Sequence, residues 1–226
     1  MNVRLLSYSQ PTEEFASVGI NDAQELIAYC ARVSNLANQL NTETSEKLIR
    51  YLVKHQHWSP LEMVSACLEI TTTRDIARQI LRHRSFSFQE FSQRYADPTK
   101  DLDFVVREAR LQDTKNRQNS ISTDDTELQA WWDAKQKFII DSVKDIYAEA
   151  IERGIAKEQA RAILPEGNTV SRLYMNGTLR SWVHFIELRS GNGTQLEHMQ
   201  IARECACVIA KVFPMVEDYV QPSQGS

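Results

Sequence analysis

The sequence predicts a single mixed α+β domain with a small sheet and several long helices, on three observations. Short alternating stretches rich in β-branched residues are interspersed with longer ones in which apolar residues recur every three or four positions. No internal repeat and no linker-like shift in composition divides the 226 residues. Residues 1–220 are therefore expected to form one domain, with 221–226 as a disordered tail. Composition is ordinary for a globular chain, 42% hydrophobic and 25% charged, which excludes disordered, collagenous and disulfide-stapled classes.

Each element follows from its local pattern. Residues 3–8 read as a short strand, and 22–34 as a helix entered through Asn21 or Asp22, whose side chains can accept from a free backbone N–H. A second helix is expected over 44–56, with Leu48, Tyr51 and Leu52 inward, stopped by Ser59-Pro60. Residues 65–73 alternate as a strand with Ala66, Leu68 and Ile70 on one side. The period then turns helical over 74–82, with Ile76, Ala77, Ile80 and Leu81 inward. Residues 85–95 read as a loop and 102–106 as a further strand. Residues 107–125 are polar and turn-rich without periodicity, and are expected to be a mobile surface insertion. The longest helix spans 127–152, carrying Leu128, Trp131, Phe138, Ile139, Val143, Ile146 and Ala150 at helical spacing as a wide apolar face, and Gly154 ends it. A short helix over 157–164, a strand over 169–175 and helices over 179–188 and 195–213 complete the chain.

Charge and cysteine usage exclude several functions. The net charge of −4 argues against a protein that coats nucleic acid or an anionic membrane. No segment offers the ~20 apolar residues of a membrane span, and the N-terminus lacks the apolar core of a signal peptide, so a cytoplasmic location is expected. The four cysteines, Cys30, Cys67, Cys205 and Cys207, have no CxxC spacing, and His55 and His57 have no companion at ligand spacing. No metal is expected.

Against that acidic background, residues 74–94 hold five arginines and two acids. Arg74, Arg78 and Arg82 recur at i, i+4 and i+8, which on a helix is a row of like charges that an anion should offset. Ser85, Ser87, Gln89 and Ser92 follow as neutral partners, with Glu90 as acceptor and Arg94 as a further guanidinium. Arginine forks with serine hydroxyls suit phosphate oxygens, so a phosphorylated small molecule is the expected guest. Two other readings stay open: the arginines pair with acids elsewhere, or the stripe over 74–94 serves a nucleic-acid-binding module. The second would need aromatic platforms, and Trp131, Trp132 and Trp182 lie instead in helical patterns.

Arg82-His83-Arg84, seven residues, Ser92, one residue and Arg94-Tyr95 resembles the signature of the flavin-dependent thymidylate synthases. His57-Trp58-Ser59-Pro60, Gln79, the stretches 160–165 (ARAILP) and 184–189 (HFIELR), and Gln195 with Glu197 resemble further elements of that family. The resemblance departs at Met63, where the family usually has His, and at Gln89 and Thr178, where it usually has Asn.

The resemblance implies conversion of dUMP to dTMP, with methylenetetrahydrofolate as carbon donor and FADH2, regenerated by NADPH, as reductant. It implies that Arg82, His83, Arg84 and Glu90 hold FAD, with Ser59, Thr178, Arg180 and His184 on its other parts and His57 lining the flavin face and the folate entrance. Glu90, Ser92, Gln93 and Arg94 would hold dUMP, with Gln79 and Arg161 completing the pocket. Arg189 would be the catalytic residue, its guanidinium set against the uracil carbonyl. It further implies a homotetramer with sites at subunit boundaries. Without the resemblance, a helix cap is the lesser alternative for Arg189, whereas His184 reads as a hydrogen-bonded core histidine rather than a ligand.

Overall fold

The computed structural model describes residues 1–222. Its centre is a four-stranded antiparallel sheet in the order β1-β2-β6-β3, formed by β1 (Asn2–Tyr8), β2 (Ser65–Thr73), β3 (Ser87–Glu90) and β6 (Val170–Thr178). In β2 the side chains of Ala66, Leu68 and Ile70 are buried, as the alternation predicts. On the other face Arg4 and Glu69, direct cross-strand partners, form an ion pair. β6 alternates Leu173 and Met175 inward with Arg172 and Tyr174 outward, and continues three residues past the predicted end. β3 lies within the stretch expected to be a loop. Four half-polar residues carry no strand signal of their own, and only pairing with β6 from Ser87↔Asn176 to Glu90↔Leu173 organises them.

Helices cover the sheet. α1 (Glu13–Ser17) is a single exposed turn. α2 (Ala23–Ala31) begins at Asp22, whose carboxylate accepts from the Glu25 N–H at 2.8 Å, while Glu25 accepts from the Asn21 N–H at 2.6 Å. α3 (Ser45–Lys54) buries Ser45, Ile49 and Leu52, a stripe rotated from the predicted one, with Tyr51 exposed. It ends before Gln56, which takes a positive φ of 59°, and Ser59–Met63 forms a 3₁₀ turn. α4 (Arg74–Ile80) buries Ile76, Ala77 and Ile80. α8 (Leu179–Arg189) and α9 (Leu196–Ile209) supply Trp182, Phe185, Ile186, Ile201, Ala202 and Cys205 to the main core. The buried indole of Trp182 donates to the Ala66 carbonyl at 2.9 Å, tying α8 to the central strand.

Two expectations are corrected on the other side of the molecule. Residues 102–106 contribute only the bridge Phe104↔Thr169 beside the short α5 (Pro98–Asp101). Residues 107–125, expected to be a mobile surface insertion without periodic structure, contain the hairpin β4 (Arg110–Gln112) and β5 (Ser120–Ser122). The stretch is stitched to α6 (Thr126–Glu152) by two glutamines seven residues apart. Gln129 accepts from and donates to the Ala109 backbone at 2.8 and 2.9 Å, and Gln136 does the same to Arg107 at 2.9 and 2.8 Å. Each carboxamide thus takes the place of a neighbouring strand, satisfying a backbone that would otherwise be bare.

Only part of the apolar face of α6 is turned to the core. Gln136, Ile140, Val143 and Tyr147 are buried, whereas Trp131, Phe138, Ile139 and Ile146 are all about half exposed or more. Val143 and Tyr147 pack with Ala160 and Leu164, from α7 (Lys157–Ala160) and the end of the 3₁₀ turn Arg161–Ile163, as a second, smaller core. Gln221 is placed, its N–H donating to Ser190 Oγ at 2.8 Å. The rest of the expected tail, 223–226, lies outside the described residues. Among the described residues no helix is long and apolar enough to cross a membrane.

Candidate functional site

α4 leaves β2 at Thr73 and ends at Ile80, so Arg74 and Arg78 share its outer face while Arg82 and Arg84 fall beyond it. The predicted row of three arginines is therefore cut short, and its first two members find carboxylates. Glu90 on β3 accepts from Arg78 Nη2 at 2.5 Å and from Ser171 Oγ at 2.8 Å, with Arg74 Nη1 at 3.9 Å. Arg74 Nε also lies 3.3 Å from Glu166. The alternative that the arginines pair with acids elsewhere holds for Arg74 and Arg78, and a continuous basic face for nucleic acid is not present on this helix.

Other arginines singled out in the sequence have no such partner. Arg82, Arg84, Arg94, Arg161 and Arg189 make no ion pair with a carboxylate among the described residues. Arg94 lies 5.6 Å from the centroid of the Tyr95 ring, and Arg161 Nε donates to the Glu158 carbonyl within its own turn. Of these, Arg82 and Arg189 stand close enough for the charge of one to bear on the other, and two such guanidinium groups favour an anion between them.

Ser92, Gln93 and Arg161 line a cleft of about 690 Å³ together with Arg74, Arg78 and Glu90. Gln93 is buried and its Nε2 has no hydrogen-bond partner among the described residues, so a donor is left unsatisfied at the cleft wall. Gln79, expected to complete this pocket, does not line it, and neither does Arg94.

Gln79 belongs to a second cluster, which also holds His83 and Arg189. Arg189 is the last residue of α8, yet its guanidinium does not cap the helix, because Nε donates to His83 Nε2 at 3.0 Å. Arg203 holds the Ser190 carbonyl instead, at 3.0 and 2.9 Å. Burial lowers the pKa of His83 to about 4, with Arg189 and Arg82 adding to the effect, so its ring is neutral and its Nε2 can accept. Burial and the charge of Arg82 also lower the pKa of Arg189 from its ordinary value.

Behind this pair, Gln79 Nε2 donates to Gln195 Oε1 at 2.7 Å, and Gln79 Oε1 lies 3.2 Å from His198 Nδ1. Gln195 Nε2 donates to Glu197 at 3.0 Å, and Arg110 of β4 donates to the other oxygen of Glu197 at 2.5 Å. Burial pushes the Glu197 carboxyl up, but its own backbone N–H, Gln195, Arg110 and Arg107 outweigh that, and the net shift is down. His198 is fully buried, and burial followed by the charges of Arg189, His83 and Arg82 lowers its pKa to about 3.

The residues expected around a cofactor are more dispersed. His57, Ser59 and His184 are exposed, and His184 stands edge-on to Trp58 with ring centroids 4.5 Å apart, which removes the core-histidine alternative. His184 lines a second hollow of about 560 Å³ with Glu187, Leu188 and Asn192. Arg180 pairs with Glu62 at 2.5 Å. Thr178 is the N-cap of α8, accepting from the Ser181 N–H at 3.3 Å, so its hydroxyl already has a structural partner. Met63 and Gln89 are both exposed.

His198 and Arg110 were not singled out from the sequence. The one available sign for His198 was its place on the apolar stripe of Ile201, Ala202 and Cys205, where an ionisable side chain has to find partners. No local pattern marks Arg110, which meets Glu197 across 87 residues. Among the described residues no group of His, Cys, Asp or Glu could hold a metal ion. The cysteines are free, Cys205 is buried, and burial pushes its thiol well above the ordinary range. Burial also raises the thiols of Cys30 and Cys67.

The chain is similar to proteins of known type. The family described as "Thymidylate synthase complementing protein" matches residues 18–215. A "Probable flavin-dependent thymidylate synthase" of Paramecium bursaria Chlorella virus 1 is 47% identical over 216 residues, 96% of this chain and 97% of the relative. A "Flavin-dependent thymidylate synthase" of Synechocystis sp. is 47% identical over the same length and shares of the two chains. Among solved structures, a UMP/dUMP methylase from Streptomyces cacaoi bound with 5-Br dUMP superposes with a TM-score of 0.77 at 25% identity, covering 96% of this chain and 93% of that one.

Proposed function

Since the chain belongs to the thymidylate synthase complementing protein family, with flavin-dependent thymidylate synthases as its relatives, we propose that it converts dUMP to dTMP on a bound flavin. The observation that carries this reading is the set of five guanidinium groups without carboxylate partners, one of them donating to a neutral histidine. A reaction on a nucleoside monophosphate needs anion donors and a site for developing negative charge, not a thiolate. The free cysteines offer no activated nucleophile: Cys30, Cys67 and Cys205 have raised pKa values, and Cys207 is exposed on the outer face of α9.

Ser92, Gln93 and Arg161 suit the phosphate and sugar, since the cleft they line presents a hydroxyl, an unsatisfied amide N–H and an unpaired guanidinium. Arg94, two residues after Ser92, and Gln79, from the second cluster, would complete that set from outside the cleft. Arg189 faces the uracil carbonyl and stabilises the enolate-like charge that makes the 5-position nucleophilic, while neutral His83 aims its guanidinium. The residues present fit a dinucleotide cofactor: Arg82 and Arg84, which meet no carboxylate among the described residues, would take its diphosphate, and His83, Glu90, His57, Ser59, Thr178, Arg180 and His184 would serve its other parts, His184 from the second hollow. When bound, FAD supplies reducing equivalents to the transferred carbon. Methylenetetrahydrofolate is the carbon donor and NADPH the source of hydride, in the cytoplasm.

The two clusters support assembly into a homotetramer. Ser92 and Arg161 line the cleft, whereas Gln79 and Arg189 belong to the His83–His198 cluster and do not line it. One nucleotide would then be held by the cleft of one subunit and the cluster of another. The exposed apolar side chains of Trp131, Phe138, Ile139 and Ile146 on α6 offer contact area for such an assembly. The test is anaerobic incubation of the protein with FAD, NADPH, methylenetetrahydrofolate and dUMP, followed by detection of dTMP. Absence of product from folded, flavin-loaded protein would refute the assignment.

A further inference from the structure

The hydrogen bonds behind Gln79 have a direction that chemistry imposes. Glu197 is ionised and buried, so both its oxygens only accept: one takes Arg110 Nη2, the other Gln195 Nε2. Gln195 must therefore turn its carbonyl oxygen toward Gln79, whose NH₂ donates to it. That in turn leaves Oε1 of Gln79 facing His198 Nδ1 at 3.2 Å. Two acceptors cannot share a hydrogen bond, so His198 carries its proton on Nδ1. Its Nε2 is then an unprotonated acceptor, and this buried atom has no partner among the described residues.

We propose that Arg110, Glu197, Gln195 and His198 are positioning residues for the reaction, a relay of fixed polarity that orients the Gln79 carboxamide and holds a neutral acceptor nitrogen within the Arg189 cluster. A carboxamide offers N–H on one side and C=O on the other, and the two are nearly equal in shape. With the relay intact, the second N–H of Gln79 stays a donor for a nucleotide oxygen. If the amide turned over, the same place would present a carbonyl and repel that oxygen. The relay starts on the β4–β5 hairpin, so a segment remote in sequence sets the polarity of the cluster. Arg189 is the charge that bears most on His198, and the Nδ1–H tautomer directs a lone pair rather than a second N–H into the surroundings. This inference rests on Gln79 and Arg189 acting on dUMP.

The test uses Glu197→Gln in the flavin-loaded protein, with Gln195→Met as a second break that leaves Glu197 paired to Arg110. The chain has five histidines, so ring ¹⁵N resonances of selectively labelled protein report the His198 tautomer directly. The wild type is expected to show His198 protonated on Nδ1 and bare on Nε2. Either variant should populate the other tautomer and raise the KM for dUMP about tenfold, with bound flavin unchanged. His198 protonated on Nε2 in the wild type would overturn the relay. A tautomer that shifts while KM stays constant would overturn its positioning role. If the tautomers behave as expected but calorimetry finds no binding of dUMP to the wild type, the assigned substrate fails and the positioning role with it, while the polarity of the relay stands.

Discussion

Acid should loosen this protein through two histidines before it protonates most of the carboxylates. His198 and His83 ionise at about 3 and about 4 in the folded chain and near 6.5 when unfolded. Because the folded values are the lower ones, stability is full above the ordinary histidine range and is lost as pH falls toward 4. At pH 5 the unfolded chain holds both protons and the folded chain neither. Relative to pH 7.5, His198 alone then accounts for about 2 kcal/mol, from 1.4 kcal/mol per unit over the 1.5 units between 6.5 and 5. His83 is only half-buried, and solvent screening reduces its share to about 1 kcal/mol. The assay is urea denaturation at one protein concentration, because assembly would make the midpoint concentration-dependent. Wild-type protein should lose about 3 kcal/mol between pH 7.5 and 5, and His198→Gln only about 1 kcal/mol. The lowered carboxyls of Glu197, Asp75 and Glu69 titrate in both proteins and largely cancel in the difference. Equal acid sensitivity of the two proteins would refute the buried, neutral state of His198.

Arg189→Ala is expected to abolish dTMP formation and keep the flavin absorbance, whereas Arg82→Ala should weaken FAD by about 1.5–3 kcal/mol, read by fluorescence on flavin titration. Coexpression of inactive Ser92→Ala and Arg189→Ala chains should restore part of the activity through mixed subunits. A mixed tetramer without activity would show that the two residues act within one chain. Gly177→Ala should destabilise by about 1–3 kcal/mol in urea, since an added Cβ would sit 2.4 Å from the Phe86 ring. Replacing Cys30, Cys67, Cys205 and Cys207 together with Ala should retain turnover in the protein that folds, measured by dTMP per bound flavin.

The parts of this molecule legible in its sequence are those whose cause is local. Alternation over 65–73 marks β2 to the residue, because one face of that strand meets the core along its whole length. Asp22 and Gly154 mark helix ends because caps and positive φ angles depend on the residue itself and its immediate neighbours. The arginines of the site are equally plain, as charge concentrated in a short stretch and as a motif with fixed spacing. What the sequence could not decide is which of them are neutralised. Arg74 and Arg78 meet Glu90, and Arg110 meets Glu197, at separations set by how the strands pair and the helices pack.

The same limit explains the elements that came out differently. β3 is four residues long and becomes a strand only beside β6. Residues 107–109 are held by Gln129 and Gln136 of α6 and by the ion pair of Arg107 with Asp75, none of which is near them in sequence. The apolar residues of α6 are visible in the sequence, but which face turns inward was decided by Tyr147 and Gln136 meeting neighbours from other segments. Hydropathy records how much a side chain avoids water, not whether its partner belongs to the same chain. The tautomer of His198 is further still from anything local, for it follows from a line of four hydrogen bonds that begins on Arg110. Residue types determined what chemistry was available, and tertiary packing decided which groups kept a free hydrogen-bonding site or an uncompensated charge with which to perform it.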